Sequence, residues 1–193
     1  MGIMKAHNVN VLGRRNRFIV LANGFSTNQS MWKYFVPHLV DDFRVVLYDN
    51  MCAGTTNPDY FGFQCHSILE GHAYDLLIIL EELRVDSCIF ISHSFLAMIG
   101  AITSISRPDL FLNMIMNDMR QQLKLVTVPC HIIQVEKDMA FLVMVSEFPH
   151  QQLGGESIVE VMATDGHLTL LSFPNTVISV WFKHIQLDIA PVR

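Results

Sequence analysis

The chain has 193 residues and a mass of 22.0 kDa, which suits one globular domain over residues 1–193. Charged residues make up only 16% and apolar residues 51%, a composition that excludes a disordered protein. Thirteen basic against eighteen acidic residues give a net charge of -5 without a basic stripe, which argues against nucleic-acid binding. The longest apolar runs fall short of the roughly 18 residues of a membrane span, so we expect no membrane association.

The cysteines and the first residues carry information about compartment and cofactors. Four cysteines are present, without a C-x-x-C pair and without the spacing of a zinc site. We therefore expect no metal, no other cofactor and a reducing intracellular compartment. The N-terminus lacks an apolar signal core, and Ala6 stands where a myristoylation motif needs Ser or Thr.

Short apolar segments alternate along the chain with amphipathic helical segments. Strands are predicted at 18–22, 45–48, 88–91, 114–116, 130–133 and 158–161. Helices are predicted at 72–83, 95–106 and 176–187, where apolar residues recur at helical spacing. This alternation predicts an α/β fold with a mostly parallel, doubly wound sheet and helices on both faces. Residues 9–12 are expected to add an antiparallel hairpin strand at the edge.

Three predicted strands are followed by residues that could perform chemistry together. Ser94 follows the strand 88–91, Asp138 follows 130–133 and His167 follows 158–161, at the sheet edge where such folds collect ligands. A serine hydroxyl needs a base to take its proton, and the base needs a carboxylate to fix its tautomer. The order Ser, Asp, His along the chain is that of the α/β-hydrolases.

The same residues also have structural interpretations. Ser94 could cap the helix 95–106, and Asp138 could cap another helix. His167 could be a turn residue after Gly166. If the catalytic interpretation holds, an oxyanion would be bound by the backbone N–H groups of Phe25 and Phe95.

Longer motifs resemble a known family. They lie at 23–30, 47–51, 53–60, 128–134 and 165–168. Together they resemble the plant α/β-hydrolase receptors for karrikins and strigolactones, and the karrikin-insensitive type more closely, from Met1 almost to Ala190. The resemblance implies a triad of Ser94, Asp138 and His167 and an oxyanion site at Phe25 and Phe95.

The resemblance also implies a function. Members of the family bind small butenolide ligands, hydrolyse them slowly, and recruit F-box and repressor proteins in cytoplasm and nucleus. This sequence departs from them between Asn117 and Asp118, where the family carries a four-helix lid that is missing here. Without a lid the pocket is expected to stand open and to bind ligands weakly, because enclosed pockets bury about 70–90% of a small ligand.

Apolar side chains of the expected pocket would then face water. Those assigned to it are Phe25, Phe95, Leu96, Phe141 and Leu168. The elbow has also changed, since Ser92-His93-Ser94-Phe95-Leu96 stands where the family reads Gly-His-Ser-Val-Ser. The sequence therefore predicts hydrolysis of esters or lactones with reduced activity. A non-catalytic interaction protein and a degenerate lidless paralogue with an aggregation-prone surface remain as alternatives.

Overall fold

One mostly parallel sheet organises the molecule. The computed structural model describes residues 2–51, 53–117, 125–137 and 153–187. Within them the strands are β1 (Asn10–Leu12), β2 (Phe18–Ala22), β3 (Arg44–Tyr48), β4 (Cys88–His93), β5 (Phe111–Asn117), β6 (Cys130–Lys137) and β7 (Ser157–Asp165). Their order is β1-β3-β2-β4-β5-β6-β7, and every neighbouring pair is parallel except β1 with β3. The predicted α/β class with a mostly parallel sheet is confirmed.

Helices cover both faces of this sheet. The α-helices of the described residues are α1 (Ile3–Ala6), α2 (Val36–Leu39), α3 (Phe63–His66), α4 (Leu69–Glu82), α5 (Phe95–Ser106), α6 (Thr169–Ser172) and α7 (Pro174–Leu187). Short 3₁₀ helices lie at Gln29–Tyr34, Pro58–Tyr60 and Pro108–Leu110. Within the described ranges, no helix combines the length and the apolar character needed to cross a membrane.

The edge strand β1 differs from the prediction in its partner. It is antiparallel as expected, but it forms no hairpin with β2 and pairs instead with β3, with Val11 opposite Val46. The reason is that β3 returns parallel to β2 and occupies the position beside it, so β1 can only extend the sheet beyond β3.

Alternating strand residues build two cores on the two faces of the sheet. Val20 of β2 and Phe90 of β4 are fully buried under α4 and α5. Ile19 on the opposite face is buried beneath α7, where it belongs to the same cluster as Trp32 and Trp181. Because side chains along a strand point alternately to opposite faces, one apolar run serves both cores.

A buried polar network anchors the N-terminal segment to the loop that follows β3. His7 Nδ1 lies 2.9 Å from the backbone carbonyl oxygen of Asp49, and Nε2 lies 3.0 Å from Oδ2 of Asp75. The His7 ring thus links the backbone of Asp49 to the carboxylate of Asp75, and both of these partner oxygens are hydrogen-bond acceptors. The same Asp75 oxygen accepts a bond of 2.9 Å from His66 Nε2, whose ring Nδ1 accepts from the Gly62 N–H.

These contacts set the charge state of Asp75. Burial raises the pKa of its carboxyl, but the hydrogen bonds and positive charge of His7, together with His66, outweigh burial and leave that pKa below its usual value. A lowered pKa in the folded state means that the ionised carboxylate stabilises folding above the unfolded pKa of about 3.9, and that this stabilisation is lost as pH falls.

Substitution of Asp75 by Asn tests this linkage. At pH 7 the variant is expected to unfold with a free energy about 1–3 kcal/mol lower than the parent chain, because a buried charge-assisted pair is replaced by a neutral one. Urea titrations at pH values from 7 down to about 2 are expected to show the difference shrinking below the unfolded pKa of about 3.9, as pH falls through the lowered folded pKa of Asp75. The exposed Asp86→Asn serves as control and is expected to leave stability within about 0.5 kcal/mol. A difference that stays constant with pH would contradict the role given to the Asp75 charge.

Candidate functional site

Ser94 lies at a sharp turn between the central strand β4 and helix α5. Its backbone has φ 52° and ψ -120°, a conformation that is strained for any residue with a Cβ. Ser94 occupies the position before the first helical residue, yet its side chain makes no capping hydrogen bond. The capping interpretation of Ser94 is therefore wrong, and the strained turn has the form of a nucleophile elbow.

Phe95 begins α5 directly after this turn. The first N–H groups of a helix have no partner within the helix, so the Phe95 N–H is one that a bound oxyanion could use. The Phe95 ring packs edge-on against Phe25, with ring centroids 5.9 Å apart. The two residues predicted to form the oxyanion site are thus neighbours in space.

The loop that carries Phe25 is closed by its own hydrogen bonds. The buried Asn23 side chain donates to the Thr27 carbonyl oxygen at 2.7 Å, and the Thr27 hydroxyl donates to the Gly24 carbonyl oxygen at 2.7 Å. Register between β2 and β4 pairs Ala22 with Ser92, which brings this loop against the end of β4. Phe25 itself is 67% exposed, as the sequence predicts for a pocket residue without cover.

His167 follows β7 and lies beside the end of β4. Gly166, with φ +88°, turns the chain, and its N–H donates to the Lys137 carbonyl oxygen at 2.9 Å. The His167 carbonyl oxygen accepts from His93 Nε2 at 3.1 Å, and the two imidazole rings lie 4.8 Å apart. His93 directly precedes Ser94, so the segment that carries His167 lies against the strand end that leads into Ser94.

Asp138 and Phe141 lie outside the described residues. Lys137, the residue before Asp138, ends β6 and pairs with Asp165 in β7. This register places the end of β6 beside the end of β7, the strand that precedes His167. The triad acid therefore stays a prediction from the sequence.

A cleft of about 390 Å³ opens beside the Phe25 and Phe95 rings. Its walls include Met51, Ile68, His66 and His72. The ring of His72 meets the Phe95 ring edge-on at 5.7 Å, and its Nε2 donates to the His66 carbonyl oxygen at 3.0 Å.

Burial lowers the pKa of His72, so its imidazole is neutral near pH 7. Sequence reasoning alone treats His66 and His72 as ordinary surface or core histidines. His72 bonds the His66 carbonyl oxygen, and His66 bonds Asp75, but the spacing of these three residues forms no recognisable sequence motif.

Neither the buried cysteines nor a metal-binding cluster offers an alternative site among the described residues. Cys88 and Cys130 are buried in strands, and burial raises the pKa of each thiol to about 12, so neither is a thiolate at neutral pH. In the part of the chain that the structure describes, no group of three or more His, Cys, Asp and Glu side chains is arranged to hold a metal ion.

Comparison with known proteins places this geometry in a family. No family model matches the sequence. The chain is 42% identical to the karrikin insensitive 2 receptor CA of Petunia hybrida over 269 residues, covering 98% of this chain and 100% of the receptor. It is 43% identical to a probable esterase of Oryza sativa subsp. japonica over 270 residues, again covering 98% and 100%. The chain belongs to the plant family of karrikin-insensitive 2 receptors.

Solved structures agree with the fold of this receptor family. A hydrolase from Oleispira antarctica matches with a TM-score of 0.88 at 18% identity, covering 95% of this chain and 96% of that one. A thermophilic esterase from Thermogutta terrifontis matches with a TM-score of 0.82 at 14% identity and 93% coverage of both chains. At these identities the matches establish the α/β-hydrolase fold alone.

One pocket assignment in this karrikin-receptor relative needs correction. The sequence predicts Leu96 on an open pocket floor, but its side chain is 0% exposed and belongs to the core between α5 and the sheet. The second residue of a helix that starts at a sheet edge turns back over the sheet, so Leu96 is covered whether or not a lid is present. Leu168, by contrast, is 39% exposed.

The strain at Ser94 can be measured by comparing two substitutions. Ser94→Gly removes the Cβ that disfavours φ 52°, whereas Ser94→Ala keeps it. We expect the Gly variant to unfold with a free energy about 1 kcal/mol higher than the Ala variant, as measured by urea denaturation. The same pair at Ser106, the last residue of α5, is the control, and there Gly is expected to give no gain in stability over Ala. Equal stability of the two Ser94 variants would mean that the elbow is unstrained.

Proposed function

We propose that this chain is a hydrolase-type receptor that binds small butenolide or ester ligands and cleaves them slowly. The observation that carries the proposal is the elbow at Ser94, whose uncapped hydroxyl lies at a strained turn one residue after His93, the residue bonded to the His167 carbonyl oxygen. The receptor relatives supply the ligand class, and the cleft of about 390 Å³ lies within the range of about 300–1,000 Å³ typical of small-molecule sites.

The chemistry assigns one role to each group. Ser94 Oγ attacks the ligand carbonyl carbon while His167 takes the hydroxyl proton, and the C–O bond to the leaving oxygen breaks as His167 returns that proton to it. Water then releases the acyl group from Ser94 by the same sequence in reverse. The N–H groups of Phe25 and Phe95 bind the negative oxygen, and Asp138 orients His167.

Low activity follows from solvent access. Phe25 is 67% exposed, so water reaches the edge of the oxyanion site and weakens each electrostatic contact there. The alignments with the petunia and rice relatives extend over 269 and 270 residues, more than the 193 of this chain. This difference in length supports the proposal that a lid is missing between Asn117 and Asp118, within a single domain.

Covalent labelling tests the proposed nucleophile. Incubation with a fluorophosphonate or a reactive butenolide ester is expected to add one adduct to Ser94, detected by intact mass and peptide mapping. Ser94→Ala is expected to abolish it, and His167→Asn to slow it by about 10²–10⁴-fold, because proton transfer to the base is lost. The matched control is Ser92→Ala, which removes a fully buried hydroxyl two residues away and is expected to label like the parent. No adduct, or an adduct that survives Ser94→Ala, would overturn the proposal.

A second candidate function is a non-catalytic interaction protein. It is favoured by apolar side chains that face solvent near the cleft, since Phe25, Phe63 and Ile68 are 67%, 77% and 53% exposed. Such side chains suit contact with another protein, and the family resemblance suggests F-box and repressor partners.

Affinity capture with those partners separates this candidate from the first. The Ser94→Ala variant is expected to capture these partners like the parent chain. A variant that carries both Phe63→Ser and Ile68→Ser is expected to lose the capture. Leu112→Ser is the matched control, because Leu112 is 50% exposed but lies at the opposite end of the sheet, near the start of β5. Failure of the parent chain to capture any of these partners would count against this candidate.

A further inference from the structure

The side chain of His93 lies between two loops of the candidate site. It ends β4, is 3% exposed, and directly precedes Ser94. On one side its Nε2 lies 3.1 Å from the His167 carbonyl oxygen, and on the other side it faces Gly24. A Cβ placed on Gly24 would come within 2.6 Å of His93 Nδ1, so the loop that carries Phe25 packs directly on the ring.

The hydrogen bond to His167 defines the proton on His93. A backbone carbonyl oxygen only accepts, so Nε2 must carry the hydrogen. With this bond, the short segment after β7 is held at two successive residues, because the Gly166 N–H already donates to the Lys137 carbonyl oxygen. The Gly166 bond ties the segment to β6. The His93 bond ties it to β4, the strand that Ser94 follows.

We propose that His93 is a positioning residue that sets the distance of both the His167 loop and the Phe25 loop from Ser94. This inference rests on the proposed function, since it assigns His93 to the alignment of that triad and oxyanion site. His93 does not take or give a proton in the reaction. It acts through the His167 carbonyl oxygen and through contact with Gly24, so loss of its hydrogen bond and reach displaces the base and the oxyanion donor together.

Displacement of a catalytic group by about 1 Å costs about 10²-fold in rate. His93→Leu removes the donor, and we expect it to slow fluorophosphonate labelling of Ser94 by about 10- to 100-fold per folded molecule. His93→Gln keeps an N–H donor at a similar reach and is expected to restore the rate to within about threefold of the parent. Rescue by Gln distinguishes the hydrogen bond from a need for the ring's bulk.

A second readout does not depend on activity. Amide hydrogen exchange measured by mass spectrometry is expected to accelerate over residues 164–168 in His93→Leu and to return toward the parent rate in His93→Gln. The matched control is His184→Leu. His184 is likewise 3% exposed and bonded through Nε2, at 2.8 Å to Glu160, but it lies on α7 away from Ser94. It is expected to change neither labelling per folded molecule nor exchange over 164–168.

Gly24→Ala places a Cβ against the other side of the same ring. This variant keeps the test valid if His93→Leu fails to fold. Its Cβ is expected to push the imidazole and slow labelling, and to have no further effect in a His93→Ala background, where space is free. The positioning role would be overturned if Gly24→Ala and His93→Leu were both labelled at the parent rate. It would also be overturned if His93→Gln were labelled as slowly as His93→Leu. If the parent chain forms no Ser94 adduct, the proposed function fails, and the exchange result alone decides whether His93 holds the His167 loop.

Discussion

The turn from β4 into α5 at Ser94 is the constraint on which the rest of the site depends. β4 is the central strand, hydrogen-bonded to β2 on one side and β5 on the other, so its end cannot move without moving the sheet. The helix can follow so sharply only because α5 packs closely on β4. Gly100 of α5 makes this possible, since a Cβ there would collide with the Phe90 ring of β4. The strain at Ser94 is thus sustained by packing on both sides of the turn.

The loops around this turn are held by polar groups rather than by secondary structure. Asp49, at the end of β3, accepts hydrogen bonds from the Gln29 N–H at 2.8 Å and from the Thr55 hydroxyl at 2.7 Å, and its carbonyl oxygen accepts from His7. Such partly buried networks contribute modest net free energy, because their groups were also hydrogen-bonded to water when unfolded. Their effect is to specify one loop geometry, since any other arrangement leaves buried groups without partners.

Most strands of the sheet could be predicted from apolar runs, but the residues at which strands end could not. The strand at 18–22 agrees with β2 throughout, because five consecutive apolar residues leave little choice for a strand covered on both faces. The apolar run predicts that β4 stops at Ile91, yet the strand continues through Ser92 and His93, which pair with Met116 and Asn117 of β5. Polar residues normally suggest a loop, and only pairing with neighbouring strands makes these two part of the sheet.

The candidate site, like the sheet, could be predicted from the sequence only in part. The positions of Ser94 and His167 after strands were predictable, because parallel strands bring their carboxyl ends to one edge. The burial of Leu96 was not, since it depends on the direction in which α5 leaves the turn. His93 was visible in the motif only as a neighbour of Ser94, and nothing in its spacing indicates a bond to a residue 74 positions later.

By itself, the sequence determined the α/β class, the order of candidate catalytic residues and the receptor family, because these depend on local apolar patterns and contiguous motifs. Only the tertiary structure decided that the Ser94 hydroxyl caps no helix, that β1 pairs with β3, and that His93 joins the loops of Gly24 and His167. These features depend on hydrogen bonds and close contacts between residues far apart in the chain, whose geometry is set when the sheet and its covering helices pack together.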